Sequence, residues 1–222
     1  MQECVFLEVK TQDNAQANAI AEKIKNYLNA SFEDRVAEWG NGIEVRDNVV
    51  VNNYESKMYY FDYEDLKERL FERIARDLPD IPFDGKCEYS NDDGDPPSSF
   101  RKVYCDGILS EVGKNKKAKL IYCSKSYSGR YTMPASVNQI CDGAFRDCRS
   151  LEIVFVSENV KKIGKDTFSG CDHLSQIYIP NSVGKIVGKT VFKGCTNLTI
   201  YAPTGSYAET YAKENNISFV AE

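Results

Sequence analysis

Apolar positions in the second half of the chain recur on a fixed period. AFRDC at 144–148, TFSGC at 167–171 and VFKGC at 191–195 place phenylalanines at Phe145, Phe168 and Phe192, 23 and then 24 residues apart. Leu151, Leu174 and Leu198 each follow the cysteine of their unit. A valine and then an isoleucine precede each phenylalanine: Val137 and Ile140, Val160 and Ile163, Val183 and Ile186. The last unit carries one extra residue between Val183 and Phe192. A period of this length predicts a solenoid, because one unit cannot bury its own apolar face while stacked units can. Each unit ends in a short alternating stretch: Tyr131 and Met133, Val154 and Val156, Ile177 and Ile179, Ile200 and Ala202. These pairs are predicted to point inward on parallel strands about 4.8 Å apart. The residue between the members of each pair must then point out, which places Thr132, Phe155, Tyr178 and Tyr201 in one outward column. Such a column stabilises a sheet through cross-strand aromatic pairs. It also suits recognition, since tyrosine is enriched at interfaces and solenoid faces commonly bind partners.

Beyond the repeats, Ser206 is placed to cap a helix carrying Tyr207, Ala208, Tyr211 and Ala212 on one face, and Ile217 and Phe219 add a last strand. This segment reads as a lid over the final repeat. Before the repeats, FRKVYC, GILSEV and KLIYCS are strand-like, and the basic turn 113–117 closes a hairpin with a solvated tip.

The first half alternates differently. CVFLEVKT at 3–10 reads as a strand. Asp13 caps a helix with Ala17, Ile20, Ile24, Tyr27 and Leu28 at helical spacing. IEVRDNVVVN at 43–52 and KMYYF at 57–61 read as two strands. Asp62 and Asp65 open a second helix with Leu66, Leu70, Ile74 and Leu78 at steps of four, stopped by Pro79, and a last strand runs over 83–90. The order β-α-β-β-α-β predicts a ferredoxin-like α+β sandwich. NDDGDPPSS at 91–99 cannot sit inside a helix or central strand. The expected division is therefore an α/β sandwich over 1–92, a linker over 93–99, and a β-rich solenoid over 100–222.

Composition narrows the function classes. The 222 residues carry a net charge of −5, which argues against non-specific nucleic-acid binding. No apolar run is long enough to span a membrane. The N-terminus lacks the basic and apolar regions of a secretory signal, so the first expectation for compartment is the cytoplasm. Of eight cysteines, three hold the same slot in successive repeats, as small buried side chains would; no CxxC pair supplies zinc spacing. The acids at 92–95 lack the EF-hand spacing of a calcium loop. Gly184–Thr190 imitates a phosphate loop with one residue too few between its glycines. His173 is the only histidine and falls in a turn that varies between repeats. No catalytic motif, cofactor site or metal site is read from the sequence.

The pattern P-x-S-V-x-x-I-x-x-x-A-F-x-x-C-x-x-L, nearly complete in PASVNQICDGAFRDCRSL at 134–151, resembles the leucine-rich repeats of the BspA-like bacterial surface-antigen family. The hairpin at 105–123 and the ending PTGSYAETYAKENNISF at 203–219 resemble the segments that flank such repeats, so the resemblance covers about residues 100–222. It implies a parallel solenoid serving adhesion or protein recognition without catalysis, with a host or extracellular-matrix protein as partner, and a surface or secreted location as the alternative to the cytoplasm. The chain is then expected to act as a monomer or weak oligomer, with Thr132, Phe155, Tyr178 and Tyr201 as binding face. Two further readings stand beside it. One is an enzyme with its site in the N-terminal half, using carboxylates such as Glu44, Glu64 or Asp84. The other is a scaffold that stacks through its solenoid ends.

Overall fold

The computed structural model describes residues 4–31, 43–52, 70–90, 98–113 and 115–222. The chain divides into two compact units, Met1–Asp106 and Gly107–Glu222.

In the first unit, β1 (Cys4–Lys10) leads to α1 (Asn14–Ser31), then β2 (Ile43–Arg46) and β3 (Val49–Asn52). After the short helix α2 (Phe71–Asp77) come β4 (Phe83–Ser90) and β5 (Ser98–Cys105). The strands lie in the order β5-β4-β1-β3-β2, and each neighbour pair is antiparallel. The Asp13 carboxylate accepts from the Gln16 amide at 2.9 Å, the N-cap its position predicts. Ala17, Ile20, Ala21 and Ile24 form the buried stripe of α1. Phe71 of α2 stacks on Phe83 with centroids 5.8 Å apart, and Phe83 stacks on Tyr104 at 5.5 Å. Gly85 makes this seating possible: a Cβ there would fall 2.0 Å from the Phe71 ring.

Two sequence expectations meet a different outcome here, and a third falls outside the described residues. Residues 43–52, read as one strand, fold back on themselves as the β2–β3 hairpin. Asp47 and Asn48 form its two-residue turn with φ of 46° and 65°, the left-handed pair that a type I′ turn requires and that Asp and Asn tolerate. The strand expected at 57–61 and the start of the following helix lie outside the described residues. Of the expected linker, Ser98 and Ser99 already belong to β5, and the stretch FRKVYC continues that strand alongside β4.

The second unit begins with the antiparallel hairpin of β6 (Ile108–Val112) and β7 (Ala118–Cys123). From there each coil gives one strand to each of two parallel sheets. One sheet contains β7, β9 (Val137–Ile140), β11 (Lys162–Ile163) and β13 (Lys185–Ile186). The other contains β8 (Gly129–Thr132), β10 (Leu151–Phe155), β12 (Gln176–Tyr178), β14 (Thr199–Ala202) and the final β15 (Ser218–Ala221). Tyr131, Val154, Ile177, Ile200 and Phe219 are in register across this second sheet. The predicted inward pairs are all buried, as are the valine, isoleucine, phenylalanine and leucine slots of every repeat, and they form one continuous cluster. Phe145 stacks on Phe168 at 5.1 Å and Phe168 on Phe192 at 5.5 Å, with Tyr131 and Tyr211 against the two ends of the stack.

The coils are tied at their turns as well. Gly164 lies against the preceding coil so closely that a Cβ would sit 2.6 Å from the backbone of Cys141. The Cys171 thiol donates to the Phe145 carbonyl at 3.0 Å, and Cys195 to the Phe168 carbonyl at 3.1 Å. Cys171 and Cys195 thus each close on the phenylalanine of the coil before, whereas Cys148, in the first repeat, reaches the Cys123 and Ser124 carbonyls. Outside, Arg146 pairs with Asp166 at 2.5 Å and Lys125 with Asp147 at 3.4 Å, again between successive coils.

Helix α3 (Tyr207–Glu214) covers the last coil. Ser206 Oγ accepts from the Glu209 amide at 3.2 Å, and Glu209 accepts from the Gly205 amide at 2.6 Å. Ala208, Tyr211 and Ala212 are buried, whereas Tyr207, expected on the same face, is 43% exposed because it stands at the first helical position, off that stripe. Tyr211 donates to the Gly188 carbonyl at 2.9 Å and sets its ring edge-on to Phe192. Removing residues 204–222 is therefore expected to uncover Ile200, Ala202 and Phe192 and to cause aggregation, checked by light scattering. A monodisperse truncation with the parent melting temperature would show that α3 and β15 do not act as a lid.

Candidate aromatic recognition strip

The outward column of the second solenoid sheet follows from strand register. Phe155 pairs with Thr132 on one side and Tyr178 on the other, and Tyr178 pairs with Tyr201. The structure thus brings all four predicted residues into one line. Thr132 is exposed, and the three aromatic residues are half-buried. Phe155 and Tyr178 stack with centroids 4.4 Å apart and ring planes 11° from parallel; Tyr178 and Tyr201 stack at 4.6 Å and 15°. Parallel strands hold equivalent side chains at nearly that spacing, so the backbone repeat itself sets the rings face to face.

That geometry decides what the strip can offer. Each inner ring face is used by a neighbouring ring, so solvent meets ring edges and phenol hydroxyls. At one end, the Arg130 guanidinium lies 5.3 Å from the Phe155 centroid and covers its outer face. At the other end, Val220 continues the column beside Tyr201 and is 43% exposed. The Tyr178 hydroxyl donates to the Gln176 side-chain oxygen at 3.1 Å. Arg130 and Val220 are absent from the sequence reading. Val220 follows from the alternation of the last strand once Phe219 is placed inward. Arg130 stands two residues before Thr132 and so shares its outward face, but its place over the Phe155 ring depends on rotamer.

The other residues singled out in the sequence fall elsewhere. His173 is exposed in its turn, and Cys171 is buried. The glycine-rich stretch 184–190 contains β13, whose Lys185 and Ile186 pair in parallel with β11, so the repeat accounts for it. Glu44 pairs with Arg46 at 2.6 Å, and Asp84 pairs with Arg101 at 2.5 Å. Glu64 lies outside the described residues. Among the described residues no three acids, cysteines or histidines converge as a metal would need. Cys105, Cys123, Cys141, Cys148, Cys171 and Cys195 are free thiols. Burial pushes Cys171 above the usual thiol range and Cys195 up to about 12, so both stay protonated near neutrality and are poor nucleophiles.

Residues 120–213 match the BspA type leucine rich repeat region, in 6 copies. This stretch of the chain is a leucine-rich repeat region of that type. Among solved structures the chain is similar to a leucine-rich repeat protein from Eubacterium ventriosum, at 24% identity over 47% of this chain and 27% of that one, with a TM-score of 0.42. A leucine-rich repeat protein from Bacteroides ovatus is 34% identical over 40% of this chain and 23% of that one, with a TM-score of 0.35. A leucine rich cell surface protein from Faecalibacterium prausnitzii is 20% identical over 55% of this chain and 43% of that one, at a TM-score of 0.32. The chain spans about a quarter of the length of the first two. No curated protein matches it.

The thiols packed between coils, Cys171 buried and Cys195 half-buried, set a pH dependence. Unfolding returns Cys195 from about 12 to an ordinary thiol value of 9.0. Below that value both states are protonated and the contribution is whole. As pH climbs towards the folded value the unfolded chain alone ionises, and stability is lost. Urea unfolding is expected to give lower stability at pH 10 than at pH 8, with a smaller loss in Cys195→Ala. An equal loss in that variant would remove the thiol from the account.

Proposed function

We propose that the BspA-type region is a non-catalytic recognition module that holds a protein partner, in the manner of an adhesin, on the strip formed by Thr132, Phe155, Tyr178 and Tyr201. The observation that carries the proposal is the face-to-face ring stack. Its inner faces are consumed, so it offers no platform for stacking a sugar ring or a base. What remains is a flat row of apolar edges and hydroxyls, flanked by Arg130, which is the chemistry enriched in protein interfaces. The surface or secreted location belongs to the same reading, supported by the match to the repeat family. For the N-terminal unit we take the ferredoxin-like sandwich as the fold; the run β4-β1-β3-β2 within its antiparallel sheet supports it.

The test replaces Phe155, Tyr178 and Tyr201 together by Ser. Capture from extracellular-matrix extract and from host-cell lysate, run in parallel with the parent chain, should lose its specific bands, while the buried core keeps the repeat region folded by circular dichroism. Unchanged capture by a folded triple variant would reject this face.

A further inference from the structure

The first solenoid sheet carries a second column of a different kind. Lys119, Gln139, Lys162 and Lys185 are in register on β7, β9, β11 and β13. Lys162 and Lys185 therefore stand one strand spacing apart, about 4.8 Å at the backbone, with like charges side by side. Like charges directly opposite on neighbouring strands destabilise a sheet. Among the described residues no acid forms a salt bridge with either lysine. Residues 161–193 contain six lysines, at 161, 162, 165, 185, 189 and 193, against two acids, Asp166 and Asp172. Both acids already face arginines of the preceding coil: Asp166 pairs with Arg146 at 2.5 Å, and Arg149 lies 4.0 Å from Asp172. Among the described residues none of the six lysines closes a salt bridge.

The asymmetry extends over the whole unit. Residues 107–222 hold fifteen lysines and arginines against ten acids, whereas residues 1–106 hold thirteen against twenty-three. A net charge of −5 for the chain thus conceals a basic solenoid. Six of those cations fall in residues 161–193, and of these the strand register sets Lys162 and Lys185 side by side.

We propose that this strip binds a sulfated polysaccharide lying along the solenoid axis across β9, β11 and β13. Three features choose that partner. The cations are lysines, compact charges that satisfy sulfates from many directions and do not require the bidentate geometry of arginine. Lys162 and Lys185 stand one coil apart, so a polymer with at least one charge per sugar matches them better than one with a single carboxylate in every second sugar. A pyranose unit advances about one coil spacing along its chain, and Gln139 in the same column offers amide hydrogen bonds to hydroxyls. A nucleic acid is disfavoured because no aromatic side chain alternates with these lysines to stack a base. The site is independent of the aromatic strip, which lies on the other sheet.

The experiment measures binding of the full chain to immobilised heparin, with hyaluronate and duplex DNA as competitors at equal charge. The variant Lys162→Gln with Lys185→Gln copies the neighbouring Gln139 and is expected to bind about tenfold more weakly at physiological ionic strength. Its melting temperature should be equal or higher, because a repulsion is removed. Changing Lys116 and Lys117 to Gln at the hairpin tip removes the same charge elsewhere and should leave binding unaltered. The triple aromatic variant should also keep heparin binding, which separates this proposal from the preceding one. The proposal is overturned if the parent chain is not retained, if the tip variant loses as much as the strip variant, or if hyaluronate or DNA displaces the protein as well as soluble heparin does.

Discussion

Every feature of the second unit depends on side chains of one coil being dry only because the next coil lies on them. Val154, Ile177 and Ile200 share a register, and Phe145, Phe168 and Phe192 share a stack; each loses its cover if either neighbour leaves. The cysteines serve the same contact. A thiol in that slot is small enough for the coil spacing and can still donate to the carbonyl of the phenylalanine one coil earlier. A larger apolar side chain would crowd the turn, and a hydroxyl would cost more to bury if its bond were lost.

The same spacing that dries the interior writes chemistry on the exterior. Parallel strands in register set equivalent residues side by side, so any outward side chain retained from coil to coil becomes a column. On one sheet the column is aromatic and its rings consume one another's faces. On the other it is cationic: Lys119 pairs with Glu111, while Lys162 and Lys185 meet no acid in a salt bridge among the described residues. These two faces are the surfaces on which the proposed binding rests. An extended surface with a repeated group answers an extended partner better than a compact one.

The solenoid was legible in the sequence because its period is written in large side chains that tolerate no substitute at the same place. The outward column followed by simple alternation from those positions. Arg130 was not legible, since its place over Phe155 depends on the reach of a flexible side chain. The basic column is written in the same period: Lys162 and Lys185 each stand just before the isoleucine of their unit, 23 residues apart, but a lysine that varies to Gln139 in the unit before is a weaker signal than a retained apolar slot. At the N-terminal hairpin a run of β-branched residues masks the turn signal of Asp47-Asn48, two residues whose tolerance of left-handed backbone turns a strand back on itself.

Interdependence of the coils is the central claim, and hydrogen exchange in Phe168→Ala tests it most directly. Such a truncation in a packed core costs about 3–5 kcal/mol. If the coils share one interior, the amides of Val154, Ile177 and Ile200 should all exchange faster, together and by similar factors. Faster exchange confined to the coil that carries residue 168, with Val154 and Ile200 still protected as in the parent, would contradict the account.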